Sequence, residues 1–192
     1  MRTTTIAATL TAAASLTLAA AAAARRPEPL TFSPVPVTAV PAATLDDPTI
    51  VAIFDAANTA DIETGQLAAE RGHSKEARDF GAMLARDHKA VRKQGRDLAG
   101  RLGVKPTPPA DDASAKAHAE AMATLRAKRG AEFDRAFLDH EVQFHQSVID
   151  AIQGTLLPAI QNAELKELVV KVAPAFEAHR AGAAALRQKV GA

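Results

Sequence analysis

The segment FLDHEVQFHQSVIDAI, residues 137–152, decides the fold. Its large apolar residues recur at the spacing of one face of an α-helix: Phe137, Phe144, Val148 and Ile152. Glu141 falls near the middle of that face, and His145 lies beside it one helical turn later. A carboxylate on an apolar face is costly unless it is paired or binds a metal. The segment therefore predicts a core helix that carries a Glu–His pair into the interior.

The rest of the chain repeats this helical period. Long amphipathic helices are predicted over about 48–71, 74–102, 131–153 and 162–190, with a shorter polar helix over about 112–128. No segment alternates with period two for long enough to be a strand. The sequence therefore predicts an all-α fold, a ferritin-like four-helix bundle with an extra short crossover helix. If the short helix crosses the length of the bundle, the third long helix runs parallel to the second.

The chain divides into three regions. Residues 1–24 have the order of a signal peptide: Arg2, an uncharged apolar stretch and a run of alanines. The alternative for this stretch is a membrane anchor, but alanine contributes little to insertion. Residues 25–47 hold five prolines and predict an extended linker, and residues 48–192 form the bundle domain. We therefore expect a periplasmic or secreted protein with no membrane span after cleavage of the signal peptide.

Composition excludes several classes of function. The chain has 23 basic and 22 acidic residues, and this balance gives no reason to expect a nucleic-acid partner. It has no Cys, Trp or Tyr, no Gly-x-Ser-x-Gly motif and no phosphate-binding glycine loop. The usual signatures of enzymes are therefore absent, and the sequence does not favour a catalytic role.

Further polar residues fall on or beside apolar helix faces. In the last helix His179 lies near the centre of the apolar face, and in the second helix Asp87 and His88 lie on either side of it. In the first helix Glu63 flanks the Ala60–Leu67 line, and Asp61 lies further from it. Carboxylates and imidazoles that project from several helices into a bundle are how transition-metal sites are built. The predicted metal ligands are Glu141, His145, His179, His88, Asp87 and Glu63.

The metal is not specified by these residues. Iron, zinc, copper and manganese are all compatible with imidazole and carboxylate ligands. The Glu-x-x-His motif of di-iron proteins is missing, because Glu141 and His145 are four residues apart. A structural alternative stays open, in which the buried Glu and His residues form a polar network in a structural or interaction protein without a ligand. Three further histidines, His73, His118 and His140, are predicted to be solvated.

The chain resembles the bacterial family called domain of unknown function 4142. The resemblance covers about residues 48–190 and is carried by these segments: NTADI (58–62), GQLA (65–68), Asp87-His88, EFDRAF (132–137), EVQFHQ (141–146) and PAFEAH (174–179).

This resemblance implies export and a ferritin-like helical bundle but no reaction, because the family has no established activity. The recurrent histidines of the family correspond to His88, His145 and His179. Phe137 stands where the family often has Tyr, and Arg180 where it often has Leu. Members are often labelled putative outer membrane proteins, a label that these residues do not support. A metal ion or a small ligand, and a second copy of the chain, are the expected partners.

Overall fold

The structure is a computed structural model that describes residues 45–110 and 112–190. Within them the regular elements are helices: α1 Asp47–Arg71, α2 Lys75–Leu102, α3 Ser114–Ala127, α4 Gly130–Ala151, a π-helical turn Ile152–Leu156, α5 Leu157–Ala159 and α6 Ala163–Val190. The all-α prediction is confirmed. The predicted signal peptide and nearly all of the predicted linker lie outside the described residues.

The helix ends follow from local chemistry. Asp46 caps α1 by accepting a hydrogen bond from the Thr49 N–H at 2.9 Å. The Ser74 hydroxyl caps α2 in the same way, through the Ala77 N–H at 3.1 Å. Gly103 ends α2 with a φ of 67°, a left-handed conformation that glycine adopts at little cost. Capping side chains and glycines therefore determine where each helix begins and ends.

One end of the bundle gathers the start of α1, the end of α2 and the start of α6. The Asp47 carboxylate accepts the Gln161 and Asn162 N–H groups at 3.0 and 2.9 Å, just before α6 begins. The Thr107 N–H, just after α2, donates to the Pro48 carbonyl oxygen at 3.1 Å. Since α1 and α6 both start at this end, they run in the same direction.

The opposite end joins α1 to the segment between α3 and α4. The Arg71 guanidinium donates to the carbonyl oxygens of Arg126 and Lys128 at 3.0 and 3.2 Å. The buried Asp134 carboxylate in α4 accepts the His73 and Ser74 N–H groups at 2.7 and 2.8 Å. The connection containing α3 therefore crosses the length of the bundle, and α4 runs parallel to α2 as expected.

The core consists of two apolar clusters with a polar layer between them. The cluster around Phe54, Phe144 and Phe176 fills one half of the bundle. The cluster around Phe80 and Phe137 fills the other half. In α1, α2, α4 and α6 the buried polar residues come between members of the two clusters. No helix in the described ranges is both long and apolar enough to cross a membrane.

Helices α1 and α2 approach each other closely on the side of the polar layer that holds the Phe80 and Phe137 cluster. A Cβ atom on Gly65 would lie 2.6 Å from the Gly81 carbonyl oxygen, and one on Gly81 would lie 2.6 Å from the Gly65 carbonyl oxygen. The two backbones therefore touch where each helix has a glycine. This contact sets which side of α1 faces the interior.

Candidate metal centre

Five buried polar residues from four helices meet in the polar layer. The set comprises Asp61 of α1, His88 of α2, Glu141 and His145 of α4, and His179 of α6, and none of them is more than 7% exposed. Potential ligand atoms of His88, His145 and His179 lie within 4.8 Å of one another, and so do those of Asp61, Glu141 and His145. Since His145 belongs to both groups, the five residues form one continuous site.

The protonation of His88 is set by Asn58. The Asn58 Nδ2 group donates to the Phe54 carbonyl oxygen at 2.8 Å, so the amide oxygen faces His88 Nδ1 at 2.9 Å. An amide oxygen only accepts hydrogen bonds, and Nδ1 of His88 must therefore carry the proton. In the neutral ring this leaves the lone pair on Nε2, which points toward His179.

His145 is held in the same manner by a backbone group. Its Nδ1 lies 3.0 Å from the Glu141 carbonyl oxygen one turn earlier in α4, and it donates to that oxygen. No described residue offers a hydrogen bond to Nε2 of His145, although the side chain is fully buried. In the neutral ring this buried nitrogen holds an unused lone pair.

His179 completes a group of three imidazoles. Its Nε2 lies 3.4 Å from the Asp87 carboxylate, which favours a proton on Nε2. Its Nδ1 lies 3.1 Å from Nε2 of His88. Two lone pairs at that distance repel each other unless a proton or a cation lies between them. Two imidazole ligands of one tetrahedral zinc ion, each about 2.0–2.1 Å from the metal, would be roughly 3.3 Å apart.

The carboxylates of Asp61 and Glu141 supply negative charge to the same layer. Glu141 Oε2 lies 3.4 Å from Nδ1 of His145, and Asp61 Oδ2 lies 3.4 Å from Nδ1 of His88. None of their four oxygens has a hydrogen-bond partner among the described residues. Buried carboxylate oxygens without such bonds are costly, and a bound cation is one of the few arrangements that compensates them.

The electrostatics of the site keep two of the imidazoles neutral. Burial, together with the neighbouring His145 and His179, lowers the pKa of His88 to about 3. Burial and His145 also lower the pKa of His179. Both rings are therefore uncharged at neutral pH, the form in which imidazole binds a metal.

The carboxylates have the opposite effect on His145. Burial disfavours its charged form, but Asp61 and Glu141 outweigh burial and raise its pKa to about 9. Burial raises the pKa of Asp61 well above its usual value. In a metal-free protein a proton on His145 therefore supplies positive charge, yet it leaves an N–H at Nε2 with no acceptor. A metal ion would supply the charge and use the lone pair as well.

The structure brings together four of the six predicted ligands and separates the other two. His88, His145, His179 and Glu141 lie in the site. Asp87 lies at its edge, where its half-exposed carboxylate contacts Nε2 of His179 and pairs with Arg86.

Glu63 points away from the site. It is exposed, and its carboxylate lies 2.8 Å from Nε2 of His118. Asp61 occupies the place expected for Glu63, since two residues along a helix turn a side chain by about 200°. Of the three remaining histidines, His73 is exposed as predicted, and the other two differ from the prediction of solvation. His118 forms the pair with Glu63, and His140 is buried, with its ring 5.7 Å from that of Phe144.

The second nitrogen of each imidazole faces an oxygen atom outside the group of three. These oxygens are the Asn58 amide oxygen, the Glu141 carbonyl oxygen and the Asp87 carboxylate. Metal-binding histidines almost always have such a partner, which fixes the tautomer and the orientation of the ring. Three oriented imidazoles beside two carboxylates are a donor set for zinc, iron, copper or manganese.

Comparison with known proteins defines the family. No curated protein matched the chain, and no solved structure matched it. A family model matched residues 33–186, a span that includes the four long helices nearly to the end of α6 and all five residues of the site. The chain therefore belongs to the family described as Domain of unknown function (DUF4142).

Proposed function

We propose that this protein binds a transition-metal ion in the centre of its bundle. His88, His145 and His179 supply the imidazole ligands, and the carboxylates of Asp61 and Glu141, which lie beside the Nδ1 atoms of His88 and His145, supply negative charge. One observation carries the proposal: buried carboxylate oxygens and the Nε2 atom of His145 have no hydrogen-bond partner among the described residues. These unpaired atoms belong to the residues whose potential ligand atoms converge.

The structural alternative requires that these same atoms be satisfied by hydrogen bonds within the protein. A buried network that only stabilises the fold satisfies its own hydrogen bonds, because each unsatisfied buried group costs about 1–3 kcal/mol. The Glu141–His145 pair favours this alternative, since a proton on His145 balances one carboxylate. It leaves Nε2 of His145 without an acceptor, and it requires a proton on the carboxyl group of Asp61, whose pKa is raised by burial. A metal ion would meet both demands, and for that reason we favour a metal.

The donor set narrows the choice of ion. Three imidazoles beside two carboxylates suit zinc, iron, copper or manganese better than magnesium or calcium, which prefer oxygen ligands alone. Nothing in the proposal requires a reaction at the metal. Because the sequence also predicts a signal peptide, we propose that the protein acts in metal handling or stress response in the periplasm.

Metal analysis of the mature protein, residues 25–192, tests the proposal. The protein is purified without chelator or affinity tag and compared with the variant His145→Ala/His179→Ala and with the control His118→Ala. We expect about one metal ion per chain in the wild type and in the control, and none in the double variant.

A chain that takes up no metal even after incubation with each of the four ions would overturn the proposal. Equal metal content in the double variant and the control would place the metal elsewhere. If the wild type is metal-free and the double variant is only less stable, the structural alternative is correct.

A further inference from the structure

A cavity opens on the side of the bundle between α1, α3 and α4. Its volume is about 240 Å³, and its deeper wall is apolar, formed by Ile53, Ala57, Phe144 and Val148 among others. Polar residues of the α3 side, including Ser114 and His118, also line it. We call this the outer cavity.

A second, smaller cavity continues inward from the first. Its volume is about 30 Å³, which is room for about two groups the size of a water molecule. Ile53, Ala57 and Val148 line both cavities and so form the wall between them. The π-helical turn at the end of α4 contributes Ile152 and Leu156 to this inner cavity.

The inner cavity offers almost nothing to which water could bind. Its polar lining residue is Asn58, whose amide nitrogen donates to the Phe54 carbonyl oxygen and whose amide oxygen accepts from His88. These bonds use one of the two amide N–H groups and one lone pair of the oxygen, so the lining offers few polar partners to water. Cavities lined by apolar side chains with no free polar partner stay dry and accept apolar atoms or molecules.

The inner cavity ends against the imidazoles of the candidate metal centre. Asn58 contacts His88 directly. Phe176, which also lines the inner cavity, has its ring centre 5.2 Å from that of His88 and 5.8 Å from that of His145. On the way in, the Phe144 ring of the outer cavity lies 6.2 Å from the His145 ring. The two cavities thus lead from the surface to the side chains that pack against the imidazoles.

We propose that these cavities admit a small uncharged molecule of two heavy atoms, such as dioxygen or nitric oxide, to the metal. The proposal rests on the proposed function, because it needs a metal at the end of the path. The size of the inner cavity excludes larger ligands. Its apolar lining excludes anions and hydrated ions, which would lose their hydration without replacement. A diatomic molecule loses little on leaving water and passes as side chains such as Phe176 move.

Two measurements on wild type and variants test the path. Crystals of the metal-free protein under xenon pressure report the apolar entrance, independently of any metal. The association rate of nitric oxide with the Fe(II)-loaded protein reports access to the metal. Ala57→Leu places extra atoms at the wall between the cavities, Ala57→Val does so more mildly, and Ala90→Leu adds the same bulk at an exposed position of α2.

We expect xenon in the outer cavity beside Ile53 and Val148 of the wild type. We also expect Ala57→Leu to slow nitric oxide association at least tenfold, Ala57→Val to slow it less, and Ala90→Leu to leave it unchanged, all with the same iron content. Should Ala57→Leu fail to fold, the nitric oxide association rates of Ala57→Val and Ala90→Leu are compared instead.

Absence of xenon from the outer cavity, or nitric oxide association that is equally fast in all variants, would contradict the proposed path. If the chain binds no metal, the proposed function fails first and the path has no destination, whatever xenon shows. A failure of the path alone would instead appear as normal iron content with unaltered nitric oxide rates.

Discussion

Two histidine–glutamate pairs of this protein have similar separations and opposite surroundings. In the surface pair, His118 Nε2 lies 2.8 Å from Glu63 Oε2, and the side chains are 21% and 49% exposed. In the buried pair, His145 Nδ1 lies 3.4 Å from Glu141 Oε2, and neither side chain is exposed. Water solvates the remaining polar atoms of the surface pair, whereas the buried pair must find partners inside the protein. A candidate site is therefore marked by its unsatisfied atoms rather than by the proximity of a carboxylate to an imidazole.

The largest expected difference between the pairs is in metal affinity. We expect Glu141→Gln/His145→Gln to weaken the binding of zinc at least 100-fold, because it removes one imidazole ligand and one carboxylate. Removal of a single outer partner of a metal ligand already costs about 10–100-fold. The matched variant Glu63→Gln/His118→Gln is expected to bind zinc like the wild type. Competition with a chromogenic chelator measures both, and equal losses in the two variants would contradict the comparison.

The second prediction concerns the stability of the metal-free protein against pH. Asp61 and Glu141 raise the pKa of His145 to about 9, above the value of about 6.5 expected in the unfolded chain. The folded state therefore binds this proton more tightly, and the stabilisation is complete below pH 6.5 and lost as pH rises through about 9. A shift of this size corresponds to a stabilisation on the order of 3 kcal/mol.

Urea denaturation of the chelator-treated wild type and of His145→Gln between pH 6 and 10 measures this difference. We expect the wild type to lose stability relative to the variant as pH rises across that window. The same measurement on His118→Gln serves as the control for a histidine of the surface pair. A constant difference between wild type and His145→Gln would show that the proton of His145 does not compensate the buried carboxylates.

The third prediction concerns the orientation of His88. Asn58→Leu removes the oxygen that accepts the Nδ1 proton of His88 and frees the ring to change tautomer. We expect zinc affinity to fall about 10–100-fold, as is usual when an outer partner of a metal ligand is lost. Asn58→Asp keeps an accepting oxygen and is expected to retain most of the affinity. If Asn58→Leu binds zinc normally, the Asn58 hydrogen bond does not prepare His88 as a ligand.

The fold was predictable from sequence because its signals are local. Asp46, Ser74 and Gly103 mark helix ends by side-chain capping and by a left-handed turn, and both are visible in the residue types. The three central histidines were predictable too, since each falls on or beside a face with large apolar neighbours. The direction of α4 was a conditional prediction, and it holds because the whole connection between α2 and α4, and not α3 alone, crosses the length of the bundle.

The contribution of α1 to the site was not predictable in the same way. Six of its twelve apolar residues are small alanines, and the apolar residues are spread around the helix, so the sequence defines its inner face poorly. The close approach of Gly65 to Gly81 turns the side that carries Asn58 and Asp61 inward and leaves Glu63 exposed. The recurrence of Ile50, Phe54, Asn58, Asp61 and Gly65 at helical spacing is the signal that identifies this face.

The smallest expected effect separates a metal ligand from a structural carboxylate. Burial raises the pKa of Asp61 well above its usual value, so its ionised form destabilises the metal-free folded state at neutral pH. Asp61→Asn removes that charge with little change in shape. Since the same carboxylate stabilises the His145 imidazolium, the two effects oppose each other. We therefore expect the free energy of unfolding of the metal-free protein to change by no more than about 1 kcal/mol, while zinc affinity falls.

Asp87→Asn, at the half-exposed edge of the site, is the matched control and should change the stability by less than about 0.5 kcal/mol. A purely structural network predicts a different pattern for Asp61. If Asp61 serves only to balance the His145 imidazolium, Asp61→Asn destabilises the protein and has no zinc affinity to reduce, because the wild type binds no zinc. A loss of zinc affinity without a loss of stability therefore distinguishes a site built for a cation from a core that balances its own charges.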